Sequence, residues 1–216
     1  MTTQAQAQSP DCGILAKPAA KRLGSGRKSS NLLNMRRFFL LVIGLALGAT
    51  AWAQYTPKPG ETVMRMNIQG KGVVDILLYT KQAPKTTSRI IELVQSGFYD
   101  RQKFFEVARK PRPYMARFGD PNTKSKPLDD RSIGTGGSGQ KIPFEDSGFK
   151  HVEGAVGLAR QDNDKDSGDS MFYIMLAPAK FLDGAYTIFG QVVSGLDVLQ
   201  RLDVGDTASS VTIVRG

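Results

Sequence analysis

Apolar and polar positions alternate over Val63-Met-Arg-Met-Asn-Ile68, the chain turns at Gln69-Gly-Lys-Gly72, and a mostly apolar run follows over Val73–Tyr79. A period of two around a Gly-rich turn predicts a β-hairpin. The period then changes. Ile90, Ile91, Leu93 and Val94 fall on one face of a helical repeat, Pro84 suits its first turn, and Gly97 ends it. Short runs return at Lys103–Arg109 and Tyr114–Gly119, on either side of an Arg- and Pro-rich turn. Strands are predicted again at Ala155–Ala159, Met171–Leu176 and Tyr186–Val193, then a short helix at Leu196–Leu202 and a strand at Val211–Val214. This gives about eight strands and two helices, and such short strands between turn glycines favour a mostly β, antiparallel barrel or sandwich.

Charge changes the picture only at the N-terminus. Formal net charge is +9. Of 29 Lys and Arg, seven lie in residues 1–53, against one of 20 Asp and Glu; the remaining 22 and 19 leave +3. A basic face for nucleic acid is therefore not expected. Met35-Arg-Arg precedes the apolar run FFLLVIGLALGA and then Ala51-Trp-Ala53. A positive start, a short apolar stretch and an A-x-A site form the pattern of a secretory signal. The expected organisation is an extension at 1–34 with Met35 as the start, a signal peptide at 35–53, a linker at 54–61 and one domain at 62–216. Cleavage after Ala53 would leave Gln54 and no membrane span; the rival reading is an uncleaved anchor. The expected location is periplasmic or secreted.

Several chemistries drop out. Cys12, the only cysteine, lies in the extension, so the exported part has no disulfide or thiol chemistry. His151 is the only histidine, which removes most zinc sites and most nucleophile–His pairs. Gly134-Thr-Gly-Gly-Ser-Gly-Gln-Lys141 looks like a phosphate loop but lacks Gly-Lys-Ser/Thr and a following helix. Asp162, Asp164 and Asp166 are spaced like the start of a calcium loop, but Ser167 replaces its glycine and Tyr173 its bidentate glutamate. No metal and no cofactor is expected. His151 reads as structural, Glu145-Asp146 as a solvated turn, and Asp183-Gly184 as a turn pair.

Three stretches carry a family resemblance: GTGGSG from Gly134, FEDSGFKHVEGAVGLAR from Phe144, and SMFYIMLAPAKFLDGAYTIFGQVVSGLDVL from Ser170. They resemble the cyclophilins, and the likeness runs from Val63 to the C-terminus. It implies a closed eight-stranded antiparallel barrel capped by two helices, with peptidyl-prolyl cis-trans isomerase activity. The family carries Phe-His-Arg-Val on one strand and Phe-Met-X-Gln-Gly-Gly-Asp on the next. Here Phe105 stands at the histidine position, Glu106 at the arginine and Arg117 at the glutamine. The turn Arg109–Pro113 is about three residues longer than the family's. By the same resemblance Tyr114 and Met115 keep an apolar floor, and Phe172 and Leu182 a proline-facing wall. Ala159 is retained, Arg160 replaces an asparagine, and Met171 replaces a second glutamine. Phe181 stands at a tryptophan position and Tyr186 at a histidine position. The acidic loop after Arg160 resembles the bacterial exported branch.

Rotation about an X–Pro bond has a barrier of about 18–20 kcal/mol. The twisted state gives the prolyl nitrogen lone-pair character, so a donor aimed there stabilises that state selectively. Arginine suits the task and ionised glutamate does not. Three readings stay open. Arg117 serves as the donor, held by Glu106 across the strands; the slot binds proline segments without turnover; or the two charges form a surface ion pair beside a vestigial pocket. The expected partners are proline-containing segments of unfolded or extended chains, and the expected state is a monomer.

Overall fold

The computed structural model describes residues 54–216. The extension and the signal pattern lie outside the described residues. The strands are β1 (Thr62–Ile68), β2 (Gly72–Leu78), β3 (Glu106–Ala108), β4 (Met115–Phe118), β5 (Ala155–Leu158), β6 (Phe172–Met175), β7 (Ile188–Ser194) and β8 (Ala208–Arg215). Helix α1 (Pro84–Gln95) follows β2 and helix α2 (Leu196–Gln200) follows β7. All strands form one antiparallel sheet in the order β3-β4-β6-β5-β7-β2-β1-β8.

The sheet curls without a continuous closing ladder. Strands β3 and β8 end the order and do not pair with each other. They approach through the segment ahead of β3, where Lys103 bridges Thr207 and Phe104 N donates to Asp206 O at 2.9 Å. Strand β3 is only three residues long and runs into Lys110-Pro-Arg-Pro113. Prolines carry no N–H, so they cannot lengthen the ladder. The result is a curled half-barrel fastened at one corner rather than the fully closed barrel the resemblance implied.

The interior is apolar. Met64, Met66, Ile76, Phe104, Phe118, Phe172, Ile174 and Phe189 are all 0 % exposed and belong to one cluster with Ile90 and Leu93 of α1. Burying each such side chain contributes on the order of 1.5–3 kcal/mol. Pro84 opens α1 as expected, but no residue at the helix start caps it. Glu145 does so instead. Its carboxylate accepts Lys85 N at 2.9 Å, Thr86 N at 2.8 Å and Thr86 Oγ1 at 2.7 Å. Free N–H groups and the positive end of the helix dipole favour a carboxylate there. Glu145 is therefore a capping residue and not a solvated turn.

The expected linker is tied down. Buried Asp75 of β2 accepts Arg65 Nε at 2.7 Å, Arg65 Nη2 at 3.1 Å and Tyr55 N at 2.8 Å. Arg65 in turn donates to Tyr55 O. The carboxylate and the guanidinium thus satisfy each other and anchor the incoming chain.

Candidate active site

Strands β4, β6 and β5 lie side by side, and their residues alternate between two faces. Phe118, Phe172 and Leu158 are register partners and point into the core. One position along, Arg117, Tyr173 and Gly157 are register partners on the outer face, and Glu106 of β3 faces Arg117. An outer row Glu106–Arg117–Tyr173–Gly157 therefore crosses four strands. Arg117 Nη1 donates to Glu106 Oε2 at 3.1 Å, and its guanidinium lies 5.3 Å from the Phe105 ring centre. Both charged groups are partly exposed, so the pair contributes no more than about 1 kcal/mol.

Beside this row lies a recess of about 150 Å³ lined by Tyr114, Met115, Arg117, Ala159, Arg160, Asp162, Tyr173, Leu182 and Tyr186. It is smaller than the ~300–1,000 Å³ of drug-sized sites, which suits a single ring. A second, wider recess adjoins it and shares Arg117, Ala159 and Arg160. Its far side is the Gly134–Gly139 loop with Lys141, and Met171 and Asp169 complete it. The glycines here serve close approach. A Cβ on Gly136 would strike the Asp120 carboxylate, and one on Gly137 the Asp169 carboxylate. Asp120 accepts Gly134 N and Asn122 N; Asp169 accepts Ser138 N, Ser138 Oγ and Gly139 N. The loop is thus wrapped round two internal carboxylates and is not a phosphate cradle.

The polar support under the first recess is a buried chain of three side chains. His151 Nδ1 lies 3.0 Å from Asp183 Oδ1, and His151 Nε2 lies 2.8 Å from the Tyr173 hydroxyl. A carboxylate only accepts, so Nδ1 carries the proton and Nε2 of the neutral ring accepts from Tyr173. Burial lowers the His151 pKa, opposed by the hydrogen bond and charge of Asp183. Burial pushes the Tyr173 pKa far up, aided by Tyr186 and Tyr114 and opposed by Arg160. Tyr173 thus stays a donor. Gly157 leaves room for its ring, which a Cβ there would overlap.

Arg160 is held without a carboxylate. Nη1 donates to Gln161 O at 2.7 Å and Asp162 O at 2.8 Å, and Nη2 to Ala185 O at 3.1 Å. Its guanidinium stacks on Tyr186 at 4.3 Å. The Tyr186 ring and three carbonyls fix its position, and the residue lines both recesses.

The expected residues Tyr114, Met115, Arg117, Ala159, Arg160, Leu182 and Tyr186 therefore meet in one recess, and Met171 lines the adjoining one. Glu106 touches Arg117 but lines neither. Two expectations are corrected. Phe172 is wholly buried among Tyr99, Phe118 and Phe189 and does not reach the recess. The wall is Tyr173, one residue on, because adjacent strand residues face opposite ways. Phe181 is 76 % exposed; it stacks on Tyr114 at 6.0 Å and lines a separate groove with Pro111, Pro113 and Pro178. The residues that sequence reasoning missed are Tyr173, Asp162 and Lys141. Among the described residues no group of His, Cys, Asp or Glu could hold a metal ion, and no helix is long and apolar enough to cross a membrane.

The family described as cyclophilin type peptidyl-prolyl cis-trans isomerase/CLD matches residues 63–215. The chain belongs to the cyclophilin-type peptidyl-prolyl cis-trans isomerases. A Brucella suis protein named "Probable peptidyl-prolyl cis-trans isomerase" is 33 % identical over 171 residues, covering 78 % of this chain and 84 % of its own. Peptidyl-prolyl cis-trans isomerase-like 1 of Mus musculus is 34 % identical over 143 residues, covering 64 % of this chain and 78 % of its own. The crystal structure of a Cryptosporidium parvum cyclophilin type peptidyl-prolyl cis-trans isomerase superposes with a TM-score of 0.61 at 21 % identity, over 72 % of this chain and 99 % of that one. The same protein solved in the presence of the dipeptide Ala-Pro superposes with a TM-score of 0.57 at 22 % identity, over 71 % and 98 %. As a cyclophilin, the chain has a recess that mixes rings and aliphatic groups with two arginines, Arg117 and Arg160.

Proposed function

We propose that this cyclophilin accelerates rotation about X–Pro bonds with Arg117 as the donor to the prolyl nitrogen and Glu106 as the group that holds it. The observation that carries this reading is Arg117 on the wall common to both recesses, with Tyr114, Met115, Leu182 and Tyr186 lining the first. A proline ring in the first recess leaves its nitrogen at that wall. As the bond twists, the lone pair localises on nitrogen, and a fixed N–H donor there stabilises the twisted state above both planar ones. No bond is made or broken. The donor comes from β4, where the resemblance implies β3, and a displacement of about 1 Å can cost ~100-fold. The rate is therefore reduced.

The measurement is cis–trans exchange of a short Ala-Pro peptide by NMR. Arg117→Ala lowers the enhancement about 100-fold, and Lys81→Ala, on the exposed surface, leaves it unchanged. Full activity in the Arg117 variant, with the fold intact by circular dichroism, removes the assignment. Glu106→Arg with Arg117→Gln returns the donor to β3 and raises the rate. The second reading, binding without turnover, draws on the Glu106 carboxylate 3.1 Å from the donor, since its charge repels the developing lone pair. Titratable binding with no added exchange would favour it.

The same reading has the protein act on exported chains as a monomer in the periplasm or outside the cell. The leader pattern at 35–53 and the absence of cysteine after Cys12 support this. N-terminal sequencing of the recovered protein is expected to begin at Gln54, and sedimentation to give a single-chain mass. An intact leader or a heavier particle overturns the respective part.

A further inference from the structure

The charged groups around the two recesses are unevenly paired. Arg117 and Arg160 line both, and Lys141 lines the second. The acidic side chains facing them are Asp162 in the first recess and Asp169 in the second. Asp169 is already satisfied by Ser138 and Gly139. Asp162 is exposed, and it is its backbone carbonyl that holds Arg160. Asp164 pairs with Lys141 at 3.4 Å, both side chains being largely exposed. Glu106 engages Arg117 through Nη1 alone and lines neither recess. Arg160 has no carboxylate partner within ion-pair distance among the described residues. It is fixed in advance by backbone carbonyls and the Tyr186 ring.

A guanidinium ordered before the ligand arrives loses little freedom on binding, so more of its attraction appears as affinity. The carbonyl partners of Arg160 take four of its five N–H groups, so it offers a ligand carboxylate its charge and one remaining Nη2 donor. A chain that seats its proline in the first recess and runs across the second must pass between Arg117 and Arg160. We infer that this cleft selects proline segments carrying an acidic side chain close to the proline. The inference rests on the first recess being the proline seat, as in the proposed function. It adds the class of segment preferred: Glu or Asp beside the proline is favoured, and Lys or Arg there is disfavoured by like charge.

The test uses blocked peptides of one length, with Glu, Gln or Lys placed two residues before or two residues after the proline. Affinity is read by calorimetric titration and turnover separately by NMR exchange, using residues 54–216. In one of the two placements the Glu peptide binds about tenfold more tightly than the Lys peptide, with Gln between, since tenfold corresponds to ~1.4 kcal/mol. The ratio shrinks as salt rises from 50 to 500 mM. Lys141→Glu, an exposed change that leaves the fold intact, lowers the ratio; Arg160→Gln abolishes it. The Glu peptide with alanine in place of proline loses binding.

Equal affinity for Glu and Lys peptides in both placements overturns the inference, even where turnover is normal. Glu preference with no turnover overturns the isomerase reading and leaves the inference standing. Binding of the alanine-for-proline peptide with undiminished affinity, or failure of every proline peptide to bind, overturns the inference.

Discussion

The two faces of β4, β6 and β5 make a controlled comparison, since they share the same backbone. On the inner face Phe118, Phe172 and Leu158 meet Tyr99, Phe104 and Phe189 in an apolar interior. On the outer face the same three strands present Arg117, Tyr173 and Gly157. Inner residues act through shape and area, so many neighbours share the effect of a change. Each outer residue depends on one named partner: Arg117 on Glu106, Tyr173 on His151, and Gly157 on the space it leaves. The inner face sets stability, and on the proposed reading the outer face sets what is bound and turned over.

The strongest way to break this comparison is Phe172→Ala. It opens a cavity in the closed interior and costs about 3–5 kcal/mol, measured by urea denaturation, with peptide affinity unchanged in the folded fraction. A variant with normal stability and altered peptide affinity would return Phe172 to the cleft. A smaller effect is expected from pH. Burial lowers the His151 pKa, so between the folded and unfolded values the unfolded chain binds the extra proton. The His151 contribution is complete above the ordinary value near ~6.5 and falls as pH drops below it. Asp183 acts in the same direction at lower pH. Its pKa is depressed chiefly by the His151 backbone N–H, so its contribution is lost as the carboxylate protonates. The melting temperature is expected to fall from pH 7 to pH 5, and His151→Gln to flatten that slope. An unchanged slope in the variant would remove His151 from the account. The smallest effect belongs to the rim: Glu106→Gln shifts stability by no more than about 1 kcal/mol, and a larger loss would mean the ion pair carries part of the fold.

Much of the architecture was legible from residue order alone. The alternation at β1, the strand after it at β2, Pro84 at the start of α1, and Gly97 after its end all map onto the structure. That Glu106 and Arg117 face each other was legible too, through the resemblance, because the family positions they occupy are neighbours on adjacent strands. Phe172 and Tyr173 could not be separated in this way. Phe-Tyr-Ile-Met in β6 is buried on both faces, so no alternation marks which residue faces the core. Tyr173 is the sharper lesson, since a tyrosine in a buried strand asks for a hydroxyl partner, and the chain has one histidine to give it. Glu145 was misread for another reason. It caps residues 59 and 60 positions away, and local sequence carries no trace of such a contact.

Strand β1 lies between β2 and β8, and β8 holds residues 208–215. A nascent chain emerges from its N-terminus, so β1 leaves the ribosome with one edge unpaired and keeps it so until β8 follows. A chain broken off before Ala208 would present that open edge to other polypeptides, and exposed strand edges recruit strands. The sheet is therefore completed only once β8, last of its strands along the chain, has joined β1.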